Sequence, residues 1–310
     1  MTVPSDATPE PPLDAPVMAP AAVAATRPLY WSVRREVWEN RSLYVAPLVG
    51  AGVVLFGFSI SAIHLPQHRI AALALDPARQ AVAIALPYDF AAMAIILTGL
   101  IVGAFYCLGA LHNERRDRSI LFWKSLPVSD LTAVFSKAAI PLVVLPAIVF
   151  GVVVATQLIM LALSTAILLA NGMDATTTWT RLPVFQMWLV LLYGLAVLAL
   201  WYAPIWGWLL LVSGWARRAP FLWAVLPPLA LCVIEKIAFN TAHFGSMLTY
   251  RLGGFTEAFT VRTHGKVPLD PLPGLDPVGF LVTPGLWVGL VFAAAFLAAA
   301  VWLRRYRDPI

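Results

Sequence analysis

The chain of 310 residues is 60% hydrophobic and only 12% charged, and it has a formal net charge of +5. Soluble domains have roughly a quarter of their residues charged, so this composition excludes an ordinary soluble protein and favours a polytopic, helical membrane protein. The positive charge lies mostly beside apolar runs, where it serves as stop-transfer charge and gives no reason to invoke nucleic-acid binding.

The N-terminal segment differs in composition from the rest of the chain. Residues 1–28 hold seven prolines together with Ala, Asp and Thr, which predicts a disordered cytoplasmic tail. No cleavable signal peptide is visible in this segment. We therefore divide the chain into this tail and one transmembrane domain, residues 29–310.

Residues 29–43 contain two tryptophans, Trp31 and Trp38, that lie seven positions apart. On a helix this spacing places both indole rings on one face, and indole rings prefer the level of the lipid headgroups. The segment is therefore predicted to be an interfacial helix on the cytoplasmic surface. The alternative is that it forms the first turn of the first span and contributes an aromatic belt.

Runs of apolar residues predict an all-α fold with six transmembrane helices. A helix that crosses a bilayer needs about 20 predominantly apolar residues. The segments that reach or approach this length are residues 44–63, 89–111, 138–162, 186–212, 219–238 and 284–303. Pro227 and Pro228 predict a kink in the fifth span. Cys107 and Cys232 fall inside spans, where we interpret them as small buried hydrophobic residues and not as a disulfide.

The distribution of lysine and arginine predicts the orientation in the membrane. With the N-terminus placed in the cytoplasm, the cytoplasmic segments carry 14 basic residues and the outer segments carry 7. Because basic residues are enriched in cytoplasmic loops, both termini are predicted to be cytoplasmic.

The predicted outer segments differ in size. Residues 64–88 predict a short amphipathic helix on the outer surface, and residues 171–185 predict a brief turn. The largest outer segment is residues 239–283, whose first half is aromatic and lightly charged. We expect that half to pack against the membrane.

Several kinds of catalytic site are not indicated. The sequence has no G-x-x-x-x-G-K-[ST] motif, whose backbone amides and lysine are needed to hold phosphates, so this chain is not expected to hydrolyse ATP by itself. The sequence has neither a G-x-S-x-G elbow nor paired inward carboxylates, which would indicate a membrane-embedded hydrolase. His64 and His68 have the spacing of metal ligands on a helix. Because Leu65-Pro66 interrupts a regular helix between them, no metal site is predicted.

Ionisable residues are almost absent from the interiors of the predicted spans. An ion-coupled transporter needs such groups to bind and release ions within the bilayer. Asp89, Glu235 and Lys236 lie at predicted span ends, where we interpret them as interface anchors, with an ion pair as a further option for Glu235. The spans therefore indicate a passage or a scaffold that takes its energy from a partner.

Residues 112–130, HNERRDRSILFWKSLPVSD, concentrate charge between the second and third spans. The segment 113–124 is predicted to form a short helix that ends before Pro127. Ser129 or Asp130 is then predicted to cap the helix of the third span. This loop would be a stiff, mixed-charge projection with an aromatic tip, and the alternative is a solvated stop-transfer segment.

The stretch LHNERRDRSILFWKSLPVSDLTAVFSK, residues 111–137, resembles the corresponding loop of ABC-2 type transporter permeases. That loop typically shows a Glu-Arg pair, a few polar residues and a W-K-S-L-P-[VI]-S segment that leads to a lysine. The residues that match are Glu114, Arg115, Ser119, Leu121, Trp123, Lys124, Ser125, Leu126, Pro127, Ser129 and Lys137. The predicted layout also resembles this family, with an interfacial N-terminal helix, both termini inside and a longer outer segment before the last span.

The resemblance implies a permease subunit of a bacterial ABC transporter in the cytoplasmic (inner) membrane. Such a subunit pairs with a separate ATPase, and with a second permease chain as a homodimer or a heterodimer. ATP and Mg²⁺ would be bound by the ATPase, and this chain would hold no cofactor. The loop would be a coupling helix that sits in a groove of the ATPase. The residues assigned to that interface are Glu114, Arg115, Arg116, Asp117, Arg118, Ser119, Leu121, Phe122, Trp123, Lys124, Pro127 and Ser129.

The cargo and the class of function have alternatives. Spans of this composition favour a lipid-like, amphipathic or peptide substrate, and the resemblance implies export. A second hypothesis is a non-transporting scaffold or sensor that uses the same ATPase contact in an envelope stress response. A membrane-embedded enzyme is the third hypothesis, and it lacks candidate catalytic residues.

Overall fold

Apolar runs separated by short polar segments fold into α-helices throughout the part of the chain that the computed structural model describes, residues 28–117, 129–174, 176–254 and 275–306. No β-strand occurs in these residues. The helices are α1 (Pro28–Glu39), α2 (Ser42–Ser61), α3 (Leu65–Leu73), α4 (Pro77–Ala110), α5 (His112–Arg116), α6 (Asp130–Ala139), α7 (Leu145–Ala170), α8 (Thr176–Arg181), α9 (Val184–Trp201), α10 (Ala203–Trp215), α11 (Pro220–Phe239), α12 (His243–Gly253), α13 (Pro277–Val282) and α14 (Pro284–Tyr306).

Six helical segments in the described residues are long and apolar enough to cross a membrane, which confirms the predicted all-α polytopic fold. They are Ser42–Ala72, Arg79–Arg116, Asp130–Ala170, Val184–Trp201, Pro220–Phe239 and Pro284–Tyr306. A separate helix, α1, precedes the first of them, as predicted. The predicted tail falls almost entirely on residues 1–27, which lie outside the described residues.

The predicted fourth span, residues 186–212, is in fact two helices. α9 ends at Trp201 and α10 begins at Ala203, with Tyr202 between them. Pro204 lies in the first turn of α10 and has no backbone N–H, so it cannot donate to the carbonyl of Leu200. The helix is therefore interrupted where the apolar run in the sequence is continuous.

The segments predicted to lie outside contain more helix than the sequence predicts. α3 is the short helix expected in residues 64–88, but α4 already begins at Pro77 and has 34 residues. At 1.5 Å per residue it is about 50 Å long, against about 30 Å for a hydrocarbon core. The segment predicted to be a brief turn, residues 171–185, contains α8.

The bundle is held by close helix pairs and an apolar core. The most extensive pair is α10 with α14, followed by α2 with α4. A Cβ at Gly207 of α10 would lie 3.2 Å from the carbonyl oxygen of Ala293 in α14, so the glycine allows the two backbones to approach closely. The main core cluster joins α2, α4, α6, α7, α9 and α10, and includes Leu43, Ile95, Cys107, Leu145, Val149, Trp206 and Leu210.

α11 is the least embedded of the six spanning helices, and Ala224 is its buried residue. The helix runs without interruption through Pro227 and Pro228. A proline removes the donor for the carbonyl four residues earlier, which for Pro228 is that of Ala224. The indole Nε1 of Trp208 in α10 donates to this carbonyl at 3.1 Å and thereby satisfies it.

The two ends of α12 are anchored differently. The carboxylate of Glu235 in α11 accepts hydrogen bonds from the backbone amides of His243, at 2.6 Å, and Phe244, at 2.8 Å. It therefore caps the N-terminus of α12, a role that the sequence did not predict.

At the other end of α12, the guanidinium of Arg251 lies 4.6 Å from the ring centre of Trp201. It donates to the carbonyl of Trp201 at 3.2 Å and to that of Gly285 at 2.8 Å. Burial lowers the pKa of Arg251. Arg251 thus fastens α12 to the break between α9 and α10 and to α14.

Candidate coupling site at one end of the bundle

Several helix ends that are far apart in sequence meet at one end of the bundle. They are α1, the C-terminal end of α4 with α5, the start of α6, and the C-terminal ends of α10 and α14. We call this the network end. The charged loop of residues 112–130 starts and ends there, and the same segments carry most of the basic residues that predict the cytoplasmic side.

The first part of the site is a buried acid on α1. Glu36 is 1% exposed, and Lys137 of α6, which is 3% exposed, donates to its Oε1 at 2.8 Å. The hydroxyl of Tyr106 in α4 donates to its Oε2 at 2.9 Å. A carboxylate can be buried when it is paired and hydrogen-bonded in this way. Glu36 therefore connects α1 to both α4 and α6.

The second part of the site joins the two ends of the charged loop. Glu114, near the start of the loop, accepts from Lys137 at 2.9 Å and also pairs with Nη1 of Arg304 in α14. Asp130, at the end of the loop, accepts from Nε of the same Arg304 at 3.1 Å. One guanidinium thus bridges an acid on each side of the loop.

Arg35 completes the arrangement at its edge. Its Nη2 lies 2.9 Å from Oε1 of Glu36 and 3.4 Å from Oε1 of Glu114. Its Nε pairs with Glu39 at 3.4 Å on the rim, where burial raises the pKa of Glu39 and Arg35 opposes that rise.

We call six of these residues the charge network: three acids and three bases, namely Glu36, Glu114, Asp130, Arg35, Lys137 and Arg304. Its formal charges balance. Removal of one partner from a buried pair leaves an uncompensated charge and typically costs about 3–5 kcal/mol. The network is therefore most sensitive to the loss of its buried members Glu36, Lys137 and Arg304, and less so to the loss of Arg35 or Asp130, which are partly exposed.

A second set of contacts ties the start of the loop to α10. The hydroxyl oxygen of Ser213 accepts from the backbone amides of Leu111 and His112, each at 2.9 Å. Nη1 of Arg115 donates to the carbonyl of Gly214 at 2.6 Å. These bonds satisfy backbone groups at the ends of two helices, and they fix α5 against the C-terminal end of α10.

The predicted interface residues divide into four groups. Glu114 and Arg115 are directed into the bundle, whereas Arg116 and Asp117 form an exposed ion pair at 3.2 Å. Ser129 accepts from the amide of Thr132 at 3.1 Å, which confirms it as the cap of the third span. The predicted helix 113–124 is described only in its first part, α5. The remaining predicted residues lie outside the described residues: Arg118, Ser119, Leu121, Phe122, Trp123, Lys124 and Pro127.

Other members of the site were not singled out from the sequence as site residues. They are Arg35, Glu36, Tyr106, Ser213 and Arg304, together with Asp130, which was considered only as a helix cap, and Lys137, which entered only through the resemblance. A signal was present, because Lys137 and Arg304 are charged residues directly beside long apolar runs. Such a position also suits a simple stop-transfer residue, so the sequence alone does not separate the two roles.

α1 presents a different face away from the network. The guanidinium of Arg34 lies 5.3 Å from the ring centre of Trp31 and 4.8 Å from that of Trp38, and both rings are exposed. The two tryptophans therefore share a face, as predicted from their spacing. An exposed aromatic face with an arginine suits the headgroup region of a membrane.

Comparison of the chain with protein-family models, with curated proteins and with solved structures finds no match. Within the residues that the structure describes, no three His, Cys, Asp or Glu side chains are grouped to hold a metal ion. The chemistry of the site is therefore that of ion pairs and hydrogen bonds between helix ends.

Proposed function

We propose that this chain is the permease subunit of an ATP-driven ABC transporter in the bacterial cytoplasmic membrane. In this proposal a separate ATPase subunit supplies the energy through the loop of residues 112–130. The proposal is supported by the resemblance of that loop to the coupling loop of ABC-2 type permeases and by the six apolar helices.

The observation that carries the proposal is the way in which the loop is anchored. A stop-transfer segment needs only positive charge near the membrane and does not require ion pairs to a distant helix. Here Glu114 near the start of the loop and Asp130 at its end pair with the same arginine, Arg304. A force on the loop would therefore reach several spans, as a coupling element requires.

The partner chains and the cargo follow from the same proposal. The permease would assemble with two ATPase subunits and with a second permease chain, either a copy of itself or a relative. Its spans favour a lipid-like, amphipathic or peptide substrate, which would be exported. ATP and Mg²⁺ would bind to the ATPase subunits and not to this chain.

The test removes Trp123, which belongs to the predicted aromatic tip of the loop. A buried aromatic anchor at an interface commonly contributes about 2 kcal/mol or more, which is about a 30-fold change in affinity. Trp123→Ala should therefore strongly reduce the amount of ATPase that co-purifies with the permease from the native membrane. Membrane insertion and thermal stability should be unchanged.

The matched control is Trp179→Ala, because Trp179 is an exposed tryptophan on α8, in a predicted outer segment. This variant should retain the ATPase as the parent does. Two results would reject the proposal: no ATPase co-purifies with the parent, or Trp123→Ala retains and stimulates it as well as the parent does.

A further inference from the structure

The inference concerns Arg304, at the C-terminal end of the last span. Its guanidinium contacts Glu114 through Nη1 and Asp130 through Nε, and its side chain is 5% exposed. Lys137 and Arg35 also pair with Glu114, but the ion-pair partner of Asp130 among the described residues is Arg304. Lys137 of α6 also links the two sides through its direct pair with Glu114, whereas Arg304 contacts an acid on each side and connects both to α14.

The covalent connections of the loop reach fewer helices than its polar contacts do. The chain joins the loop only to α4 with α5 on one side and to α6 on the other. α14 is distant in sequence and is joined to the loop by Arg304. Because α14 packs along α10 in the most extensive helix pair, and α10 also holds α5 through Ser213 and Gly214, these two helices form one unit with the start of the loop.

The contact of Arg304 with the two carboxylates requires the planar geometry of a guanidinium. A guanidinium is planar and directs its donors at fixed angles, so it can hold two carboxylates in a defined relative position. The ammonium group of a lysine carries the same charge at the end of a flexible side chain, but its donors have no fixed planar arrangement. Because the side chain is buried, salt in the solvent screens the contact only weakly.

We propose that Arg304 is a positioning residue that sets the separation of the two ends of the loop and makes the last span move with it. The role of Arg304 in setting the spacing of the loop ends involves this chain alone. The movement of the last span rests on the proposed function, because it assigns that movement to a partner ATPase that acts on the loop.

The first experiment measures the separation of the loop ends without any partner. Spin labels are attached to cysteines at Asp117 and Leu131, which are exposed residues on either side of the loop, in a chain that carries Cys107→Ala and Cys232→Ala. The parent should give one narrow distance distribution. The double variant Arg304→Gln with Asp130→Asn should give a clearly broader one.

The double variant keeps the charge network neutral, because it removes one base and one acid. It therefore separates the loss of the bridge from the cost of a buried unpaired charge. Arg304→Lys provides a second test if the double variant does not fold. It retains the charge but lacks the planar guanidinium, so it should also broaden the distance distribution. Arg305→Gln, which changes the neighbouring exposed arginine, should leave the distribution narrow. A narrow distribution in both Arg304 variants would overturn the proposal.

The second experiment measures coupling to the ATPase in nanodiscs. The double variant should still co-purify with the ATPase, because the tip of the loop is unchanged. The effect of the permease on the rate of ATP hydrolysis should fall about fivefold or more, which is the range of an ordinary coupling free energy. An unchanged effect would overturn the assigned role of the last span.

The two proposals fail in different ways. If no ATPase accompanies the parent, the proposed function is wrong, and the spin-label distances still decide whether Arg304 sets the spacing of the loop ends. If the ATPase binds the parent but the distances do not broaden in the Arg304 variants, the positioning role is wrong and the proposed function stands.

Discussion

Glu36 shows how a buried polar residue helps to attach α1, whose Val33 and Val37 also pack against the main core cluster. It is the buried residue of α1, whereas Trp31 and Trp38 on the same helix are exposed. Desolvation of its carboxylate is costly, and the bonds from Lys137 and Tyr106 offset that cost. The attachment of α1 to the bundle is therefore partly polar, and this polar part depends on a few well-placed donors.

Tyr106→Phe tests this attachment. The substitution removes one hydroxyl that donates to Glu36 and changes little else. A hydrogen bond to a charged group typically contributes about 1.5–3 kcal/mol, so the free energy of unfolding should fall by about 2 kcal/mol. Denaturant titration of the detergent-solubilised chain measures it. Tyr306→Phe, at an exposed tyrosine, is the control and should change nothing; equal stability of both variants would contradict the interpretation.

Residue roles at this site were only partly predictable from the sequence. Ser129 was predicted as a cap, because a cap depends on the few residues that follow it. Glu114 and Arg115 were assigned to the ATPase interface, and their contacts with other helices of the bundle were not predicted. Their partners are remote, with Arg304 lying 190 residues from Glu114 and Gly214 lying 99 from Arg115. No local pattern indicates such a pairing.

At the scale of elements, α12 is held by contacts with helices that precede and follow it. Glu235 caps its N-terminus, and Arg251 near its C-terminus reaches the break between α9 and α10. Tyr202 at this break donates to the carbonyl of Leu252 at 2.8 Å. The interruption of the fourth span therefore provides the carbonyl and hydroxyl groups that receive α12.

Gly289→Ala tests whether α12 is docked in this way. A Cβ at Gly289 of α14 would overlap the guanidinium of Arg251, so the side chain must leave its carbonyl partners. Overpacking of this kind typically costs about 1–3 kcal/mol. Backbone amides of α12 should exchange faster in hydrogen–deuterium exchange. Gly57→Ala is the control, since a Cβ there meets no atom within 4 Å. Unchanged exchange in Gly289→Ala would show that Arg251 does not hold α12.

The spans were predictable from the sequence, whereas the helix break within the fourth span and the docking of α12 were not. The length of an apolar run is a local property, and all six spans were found from it. The break at Tyr202 lies inside an uninterrupted apolar run, and its position depends on Pro204 and on the partners that α12 offers. The docking of α12 likewise depends on Arg251, which the sequence shows only as one of seven basic residues in the predicted outer segments.

At the scale of the whole molecule, one end of the bundle contains the segments that the distribution of lysine and arginine predicts to be cytoplasmic. α1, both sides of the charged loop and the C-terminal ends of α10 and α14 all meet at the network end. This arrangement agrees with six membrane crossings. Which side of the membrane this end faces remains a prediction from the distribution of lysine and arginine.

Reporter fusions test that orientation. A reporter fused after Ile310 should be active in the cytoplasm, and one inserted near Gly265 should be active outside, because basic residues are retained on the cytoplasmic side. A reporter inserted at Arg217, between α10 and α11, gives a matched internal position that should be cytoplasmic. Detection of the Gly265 reporter in the cytoplasm would contradict the six-span topology.

The charge balance at the network end also has a consequence during synthesis. The ribosome translates Arg304 after every other member of the charge network, so the network of a nascent chain has three acids against two bases. The charges of the network balance only when α14 has inserted and packed along α10. An unfinished bundle therefore differs from a finished one in its local electrostatics as well as in its exposed apolar surface.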